Sequence, residues 1–436
     1  MVGAGRLELP TSWSRTKRAA NCATPRPHYY RRISHFLARE AMKYGVLIVD
    51  GASGRPLSER EGKTCLELAH TLNLDALAQE GVLGLTRSVP AGMEPSSACG
   101  CMSVLGYDPK VYYRGRGGIE ARSLGIPIGD GEVVFRCNLV GVRDGKMRSY
   151  SAGYISTQEA RVLIAALNES LGSEPVQFYP GVSYRHICKL KGYEDTLLAE
   201  CTPPHDIPGK PVKDFLPRGP GSKILRDLMA RSEAVLKEHP VNLARIARGE
   251  IPATMVWLFW GSGQLPDMPD FRQLRGLKAA MTSGVDLLNG LARIIGMEVL
   301  EIAGVTDHLD NDYAAQAIGV LEALKEHDLV VIHIEAPDEA AHDRAIDDKI
   351  EAIEKIDGEV VSRLRSYPGN IRLLIMPDHA TPIEVQTHTD DPVPFLLWGK
   401  GLAPNGAKRF TEKEARNTGF FLEEGYKIMD ILVKKV

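Results

Sequence analysis

The sequence predicts an α/β protein in which a mostly parallel sheet is flanked by helices and a smaller α+β domain is inserted. Two observations favour this class. Short apolar runs that end in an acidic residue recur along the chain, and helical patterns lie between them. A third observation is that the middle of the chain, residues 126–244, departs from this alternation. The 436 residues leave room for about two to three domains.

The first apolar run, "YGVLIVDG" at residues 44–51, is typical of a buried parallel strand with a polar residue at its carboxyl end. Similar runs follow at 253–261, 297–304, 328–338, 371–379 and 392–399. Ligands of parallel sheets bind beyond the carboxyl ends of the strands. We therefore expect a shared site where Asp50, Asp338 and Asp378 follow their strands.

The clearest helical pattern covers residues 339–365. Its apolar face is formed by Ile346, Ile350, Ile353, Ile356, Val360 and Leu364. Its opposite face carries Asp347, Lys349, Glu351, Glu354 and Lys355. The pattern predicts one long amphipathic helix whose charged face meets solvent.

The middle of the chain reads as an insert, because the buried-strand pattern resumes after it. Residues 126–244 contain strand-like pieces and two helical patterns, at 157–171 and 220–238. The larger domain is then formed by residues 42–125 and 245–436.

The first 41 residues differ in composition from the rest, with eight basic residues against two acidic ones. They lack the apolar core of a secretory signal. We interpret residues 1–41 as a non-native or disordered extension ahead of Met42, where the first strand pattern begins. A transit peptide or a basic arm is the alternative.

Composition excludes several classes of protein. The net charge of −3 argues against a nucleic-acid binder, and no apolar run reaches the roughly 20 residues that span a bilayer. The seven cysteines include no C-x-x-C pair, which favours reduced thiols in a cytoplasmic protein. Cys99 and Cys101 form only a weak zinc signal, and packing is the favoured role.

Candidate metal ligands follow the predicted strands. Asp338 and His342 in "APDEAAHDR" are four residues apart and face one point at the start of a helix. Asp378 and His379 are adjacent in "MPDHATP", and His388 precedes another strand. Each motif alone is unremarkable, and an ordinary surface or loop pair is the more frequent explanation.

Together with Asp50, these residues form a set of six candidate ligands at the strand ends of one predicted sheet, which ordinary surface pairs do not readily explain. Carboxylates and imidazoles suit Mn²⁺ or Zn²⁺. Six ligands are too many for one catalytic zinc, which keeps an open position, but fit two metals. A serine of "EPSSACGCMSVLGYDP", residues 94–109, could supply an activated hydroxyl. From these residues alone, Ser96 and Ser97 both stay open.

The order of these motifs resembles the alkaline phosphatase superfamily. Within it, the chain from Met42 onward is similar to the archaeal-type 2,3-bisphosphoglycerate-independent phosphoglycerate mutases. The resemblance rests on long stretches such as "GYDPKVYYRGRGGIEA", "FYPGVSYRH", "PPHDIPGKP", "GVTDHLDNDYAAQA" and "EAPDEAAH". It implies an alkaline-phosphatase-like fold with an inserted cap domain that binds substrate.

The resemblance assigns the phosphorylated serine to Ser97, nine residues ahead of Gly106. The family usually has an acidic residue next to this serine, where this chain has Ala98, which puts rate or specificity in question. The resemblance also implies how the ligands divide between two metals. One set is Asp50, Ser97, Asp378 and His379, and the other is Asp338, His342 and His388.

A phosphoglycerate carries several negative charges, so its site requires cations. Arginine forks match the geometry of carboxylates and phosphates. Inside motifs shared with the family, the candidates for substrate contact are Arg116, Arg136, Arg185 and Lys278. His205 and Asp206 are candidates for positioning substrate or transferring protons.

The resemblance implies a cytoplasmic isomerase of glycolysis and gluconeogenesis that interconverts 3- and 2-phosphoglycerate through a phosphoserine. It implies two divalent metals, with Mn²⁺ favoured over Zn²⁺, Co²⁺ or Mg²⁺, and no 2,3-bisphosphoglycerate. The expected partner is a small phosphorylated substrate, with neither nucleic acid nor membrane, and the oligomeric state stays open. A homoserine kinase-like phosphotransferase of the same family, a metal-dependent phosphatase and a non-enzymatic binding protein are the alternatives.

Overall fold

The larger of two sheets holds eight strands in this computed structural model, which describes residues 41–434. These strands are β1 (Lys43–Val49), β2 (Val82–Thr86), β8 (Ala279–Thr282), β9 (Glu298–Val299), β10 (Leu329–Ile334), β11 (Ile371–Met376), β12 (Val393–Gly399) and β13 (Phe421–Leu422). Their order is β13-β2-β12-β11-β1-β10-β8-β9, and only β12 runs antiparallel to its neighbours. The predicted mostly parallel sheet is confirmed, although β2, β8 and β13 were not anticipated.

Helices cover both faces of this sheet, because successive side chains of its central strands point to opposite sides. In β1, Leu47 and Val49 enter one apolar cluster, while Val46 and Ile48 enter another. The helices of the described chain are Cys65–Leu68, Leu72–Glu80, Ser97–Val104, Pro109–Tyr112, Arg116–Ser123, Thr157–Leu171, Ser222–Leu236, Pro240–Ala247, Phe271–Arg275, Asp286–Ile294, Tyr313–Ala323, Ala336–His342, Ile346–Lys355, Ser362–Arg365, Glu412–Asn417 and Ile428–Val433. Within residues 41–434 no helix combines the length and the apolarity that crossing a bilayer requires.

The second sheet is antiparallel and has its own apolar cluster. Its strands are β3 (Glu132–Arg143), β4 (Lys146–Ser149), β5 (Val176–Tyr179), β6 (Arg185–Lys191) and β7 (Met255–Ser262). The apolar run at 253–261 was expected to belong to the larger sheet, and this expectation is wrong, because β7 pairs with β3. The second sheet therefore ends near Ser262, beyond the expected boundary at 244.

The residues from Met42 onward form one compact unit, so the division at 125 and 245 stays a prediction. The two helical patterns predicted in the middle are confirmed, as Thr157–Leu171 and Ser222–Leu236. The interpretation of the basic extension concerns residues 1–41, of which residues 1–40 lie outside the described part of the chain.

The long helix predicted over 339–365 is divided in the structure. Arg344, in the left-handed region at φ 60°, separates Ala336–His342 from Ile346–Lys355. A π-helical segment, Ile356–Val361, then continues to the helix at Ser362–Arg365. The predicted apolar face is buried or packs against the first cluster as expected.

The assignment of Lys349 to the solvent face is wrong, because this side chain is fully buried. Its Nζ donates to the carbonyl oxygen of Thr381 at 2.8 Å and lies 3.4 Å from that of Ser53. Thr381 follows β11 and Ser53 follows β1, so the ammonium group connects the two loops at one edge of the larger sheet.

Replacing Lys349 with methionine should lower the free energy of unfolding by about 1.5–3 kcal/mol. The change keeps most of the buried aliphatic volume but leaves the Thr381 carbonyl without its charged donor. Urea denaturation of both proteins measures the difference. Lys355→Met, on the partly exposed side of the same helix, is the matched control and should change stability little. Equal stability of the two variants would contradict the assigned role of the ammonium group.

Candidate functional site

Polar side chains gather at the edge of the larger sheet where its parallel strands end. Asp50 follows β1, Asp378 lies two residues after β11, and Asp338 lies in the helix that follows β10. All three are fully or almost fully buried. The start of the antiparallel strand β12 reaches the same edge, which brings His388 to this group. The expected gathering at the strand ends is present.

One group of side chains centres on His379. Its Nε2 atom lies 3.2 Å from Ser97 Oγ, 3.3 Å from Asp50 Oδ1 and 3.4 Å from Asp378 Oδ2. Burial, helped by the adjacent His388 imidazole, lowers the pKa of His379 to about 4 even against the nearby carboxylates, so the His379 imidazole is neutral at pH 7. A neutral imidazole is the form that binds a metal.

The two serines of the opening motif have different surroundings. Ser96 is the N-cap of the helix Ser97–Val104, and its Oγ accepts from the Cys99 amide at 3.3 Å. Ser97 is the first helical residue, and its hydroxyl faces His379. The geometry therefore brings the hydroxyl of Ser97 to this group, and the role of nucleophile stays a prediction. Ala98 is buried in the second apolar cluster.

A second group is formed by Asp338, His342 and His388. The Oδ2 atom of Asp338 lies 3.0 Å from His342 Nε2 and 3.4 Å from His388 Nε2, and the two imidazole nitrogens are 3.1 Å apart. Burial raises the pKa of Asp338, but the adjacent imidazoles outweigh burial and hold it well below its ordinary value. One ligand atom from each residue falls within 4.8 Å of the others, the spacing of a shared metal.

The two groups adjoin each other. Oxygens of Asp50 and Asp338 and a nitrogen of His379 also lie within 4.8 Å of one another. Gly51 permits this approach, because its φ is +60° and a Cβ there would lie 2.3 Å from Asp338 Oδ1. The hydroxyl of Thr381 bridges the groups, donating to Asp338 Oδ1 and lying 3.2 Å from His379 Nδ1.

The donor set fits divalent cations. Asp50 Oδ1 and Asp378 Oδ1 are buried and have no hydrogen-bond partner. Burial and the charges of Asp378 and Asp338 raise the pKa of Asp50 well above its ordinary value. Bound cations would satisfy these oxygens and offset the repulsion between the carboxylates.

Sequence reasoning missed two residues, His333 in β10 and Glu335 directly after it. His333 Nε2 lies 2.7 Å from Asp50 Oδ2 and 3.4 Å from Glu335 Oε2. Its Nδ1 is 2.9 Å from Ser283 Oγ, which fixes the ring. The signal was present in "VIHIEAPD", where polar residues occupy an otherwise apolar strand end.

Five of the six cysteines in the described part of the chain are buried. All six in the described part of the chain are free, and none belongs to a possible metal-binding group found among residues 41–434. Cys99 and Cys101 are buried in the helix behind Ser97, as the packing interpretation expected. Cys101 also donates its thiol to Asp378 Oδ2 at 3.4 Å.

Arginines expected to bind substrate form a cluster around Glu120, in which Arg136 is buried and Arg116 and Glu120 are half-buried. Arg116 Nε donates to Glu120 at 2.9 Å, and Arg136 Nη1 contacts both oxygens of the same carboxylate. Arg136 Nε donates to Asn138 Oδ1 at 2.9 Å. Although burial opposes it, the two guanidinium groups lower the pKa of Glu120 and keep it ionised.

Arg185 lies beside this cluster and forms a 2.7 Å ion pair with Asp286 in the helix Asp286–Ile294. A cavity of about 260 Å³ is lined by all three arginines and by Glu120 and Asp286. The structure thus places Arg116, Arg136 and Arg185 around one space.

Lys278 is not part of this arrangement. It precedes β8, and its carbonyl accepts from the amides of Asp328 and Leu329, where β10 begins. The carboxyl end of β10 lies five residues further, about 17 Å along the strand. The structure therefore does not bring Lys278 to the arginine cluster or to the metal group, and a role of Lys278 in substrate binding stays a prediction.

His205 and Asp206 lie in a short 3-10 helix, Pro204–Asp206. The ring of His205 contacts Trp260 at 5.4 Å between centroids. Burial, followed by the positive charges of Arg116 and Arg136, lowers the pKa of His205 to about 4. His205 is neutral at pH 7. Its side chain is 40% exposed, that of Asp206 is 58% exposed, and the two lie 3.8 Å apart.

Comparison with known proteins identifies the family. A sequence profile described as 2,3-bisphosphoglycerate-independent phosphoglycerate mutase matches residues 78–242. Proteins of that name from Methanosarcina acetivorans and Methanothrix thermoacetophila are 42% and 45% identical, each over 90% of this chain and 100% of its own.

Solved structures agree with this result. A protein of Pyrococcus horikoshii is 27% identical with a TM-score of 0.73, covering 90% of this chain and 97% of its own. The cofactor-independent phosphoglycerate mutase from Thermoplasma acidophilum is 26% identical with a TM-score of 0.59, covering 90% and 99%. The chain belongs to the 2,3-bisphosphoglycerate-independent phosphoglycerate mutase family.

Proposed function

We propose that this protein interconverts 3-phosphoglycerate and 2-phosphoglycerate through a phosphoserine at Ser97, without 2,3-bisphosphoglycerate. One observation carries the proposal. The hydroxyl of Ser97, 3.2 Å from His379, belongs to a buried group of carboxylates and imidazoles that suits metals. The name borne by the relatives is consistent with this reaction.

Two divalent ions would be held by the groups described above. Asp50, Ser97, Asp378 and His379 form the first set, and Asp338, His342 and His388 the second. Mixed carboxylate and imidazole ligands favour Mn²⁺, with Zn²⁺, Co²⁺ and Mg²⁺ as alternatives. Bound ions would stabilise negative charge on the transferring phosphoryl group and promote ionisation of a nearby hydroxyl.

Ser97 performs the covalent step. Its Oγ forms a bond to phosphorus while the bond from phosphorus to the 3-oxygen breaks. The proton that Ser97 loses is matched by the proton that the 3-oxygen gains. After the glycerate reorients, its 2-oxygen takes the phosphoryl group, and the Ser97 hydroxyl is restored.

The arginine cluster would hold the glycerate during this reorientation. Arg116 and Arg136 present oriented forks, because Glu120 fixes both of them. Arg185 adds a third positive charge beside the same cavity. We assign the cap role to the domain that carries the second sheet, in which His205 and Asp206 contribute to positioning. Action in the cytoplasm is part of this proposal, and the oligomeric state stays open.

A coupled enolase assay tests the function. Protein beginning at Met42, reloaded with Mn²⁺, receives 3-phosphoglycerate without 2,3-bisphosphoglycerate. Formation of 2-phosphoglycerate supports the mutase. Parallel assays with ATP and homoserine, and for free phosphate, test the kinase-like and phosphatase alternatives. A metal-loaded protein that is inactive in every assay would favour the non-enzymatic alternative.

Arg136→Lys should lower kcat/KM for 3-phosphoglycerate by about 10–100-fold, mainly through KM. Lysine keeps the charge but cannot donate to Glu120 and Asn138 simultaneously from a fixed plane. Steady-state kinetics measure the effect. Arg143→Lys, at the exposed end of the same strand, is the matched control. Unchanged KM in Arg136→Lys would exclude Arg136 from substrate binding.

A further inference from the structure

The backbone of Trp260 is strained. Its φ is +50°, in the left-handed region, where a non-glycine residue costs roughly 1–3 kcal/mol. The strain coincides with an irregularity in the second sheet, because the register between β3 and β7 shifts between Val134 and Arg136. A β-bulge of this kind re-aims a side chain.

The bulge directs the indole of Trp260 to two side chains of the proposed substrate site. The guanidinium carbon of Arg116 lies 4.2 Å above the indole, a cation–π contact. The ring of His205 lies 5.4 Å from it. Arg116 is therefore fixed on one side by Glu120 and on its planar face by Trp260.

The bulge is also locked against the helix that carries Arg116. A Cβ at Gly117 would lie 2.3 Å from the carbonyl oxygen of Trp260, so only glycine allows this approach. Ser262 Oγ donates to the Arg114 carbonyl at 2.6 Å. The glycines of "RGRGG" therefore allow the start of this helix to pack closely against the bulged strand β7.

The rings of Trp260 and His205 are tilted by 55° to each other. His205 interacts electrostatically with Arg116 and Arg136, and also with the metal-group residues His342 and His388. Trp260 therefore lies beside the arginine that the proposed function assigns to the glycerate. Water that reaches the phosphoserine competes with the glycerate for it, so a glycerate held firmly by Arg116 limits hydrolysis.

We infer that Trp260 is a positioning residue that holds the Arg116 guanidinium against the glycerate and limits hydrolysis of the phosphoserine. This inference rests on the proposed function. In the return step the 2-oxygen of the glycerate attacks phosphorus and frees Ser97. In hydrolysis a water oxygen attacks instead, which restores the Ser97 hydroxyl and releases inorganic phosphate and free glycerate.

The test is the ratio of inorganic phosphate released to 2-phosphoglycerate formed, measured on the Mn²⁺-loaded enzyme with 3-phosphoglycerate. Trp260→Gly should raise this ratio and KM about tenfold each, because it removes the stacking partner of Arg116. Trp260→Phe should restore most of the wild-type ratio, since it keeps an aromatic face. The ratio does not depend on the fraction of folded protein, so a loss of stability alone leaves it unchanged.

The glycine variant also separates strain from function. Glycine adopts φ +50° without cost, so it removes the backbone penalty while deleting the indole. Trp398→Phe, which replaces a tryptophan bonded to Glu80 at 2.9 Å outside this site, is the control and should leave the ratio and KM unchanged. A wild-type ratio and KM in Trp260→Gly would overturn the inference while leaving the mutase intact. A wild-type enzyme that forms no 2-phosphoglycerate would overturn the proposed function and the inference with it.

Discussion

Ser97→Ala should reduce mutase activity by roughly 10³-fold or more, because it removes the atom that carries the phosphoryl group between the two glycerate oxygens. Ser97 Oγ is also one of the expected metal ligands, so its loss should weaken metal affinity. The remaining carboxylates and imidazoles should still bind metal. The coupled enolase assay measures activity, and elemental analysis measures metal content. Wild-type protein incubated with substrate should carry phosphate on Ser97, and the variant should carry none by mass spectrometry.

Ser96→Ala is the matched control for this experiment. Ser96 caps the helix through the Cys99 amide, so its loss should cost about 1 kcal/mol of stability. Its hydroxyl does not form the contact to His379 that Ser97 forms, and activity should stay within a few-fold of wild type. Loss of activity in Ser96→Ala together with retention in Ser97→Ala would reverse the assignment of the nucleophile.

The gathering of the candidate metal ligands could be predicted from sequence because of a general property of parallel sheets. Strands that run in the same direction end at the same edge, so Asp50, Asp338 and Asp378 were expected together before any distance was known. His388 was harder, since it precedes its strand. It reaches the same edge only because β12 runs antiparallel to β11.

Other features depend on contacts that no local pattern encodes. Lys349 has the helical spacing of a solvent-facing residue, yet carbonyls from two distant loops bury its ammonium group. The apolar run of β7 resembles those of the larger sheet, but its partner is β3. Lys278 lies in a motif shared with the family, while the direction of β8 places it at the far edge of the sheet. In each case the deciding information is the identity of the neighbour.

Removing the metals should abolish activity and destabilise the fold. Without cations, the buried carboxylates of Asp50 and Asp378 keep unpartnered oxygens and repel each other. Ions that bind only the folded state stabilise it by about 2.7 kcal/mol per site at a free concentration of 100 Kd. Differential scanning calorimetry should show a lower Tm after chelation, and added Mn²⁺ should restore both Tm and activity. Parallel additions of Zn²⁺, Co²⁺ and Mg²⁺ rank the metals.

The stability of the chelated protein should also depend on pH, and the pKa of His342 gives the direction of the change. Burial alone would lower the pKa of His342, but the hydrogen bond and charge of Asp338 raise it to about 9 in the absence of metal. A raised folded-state pKa means that the folded state binds the proton more tightly than the unfolded state. The resulting stabilisation is fully present below pH 6.5 and is lost as the pH rises through about 9. Metal binding requires neutral His342 and removes this contribution. Chelated protein should therefore lose stability between pH 6.5 and 9 through His342, whereas Mn²⁺-loaded protein should not.

A chelated, metal-free protein that keeps its activity and the Tm of the loaded form would exclude a metal from this site.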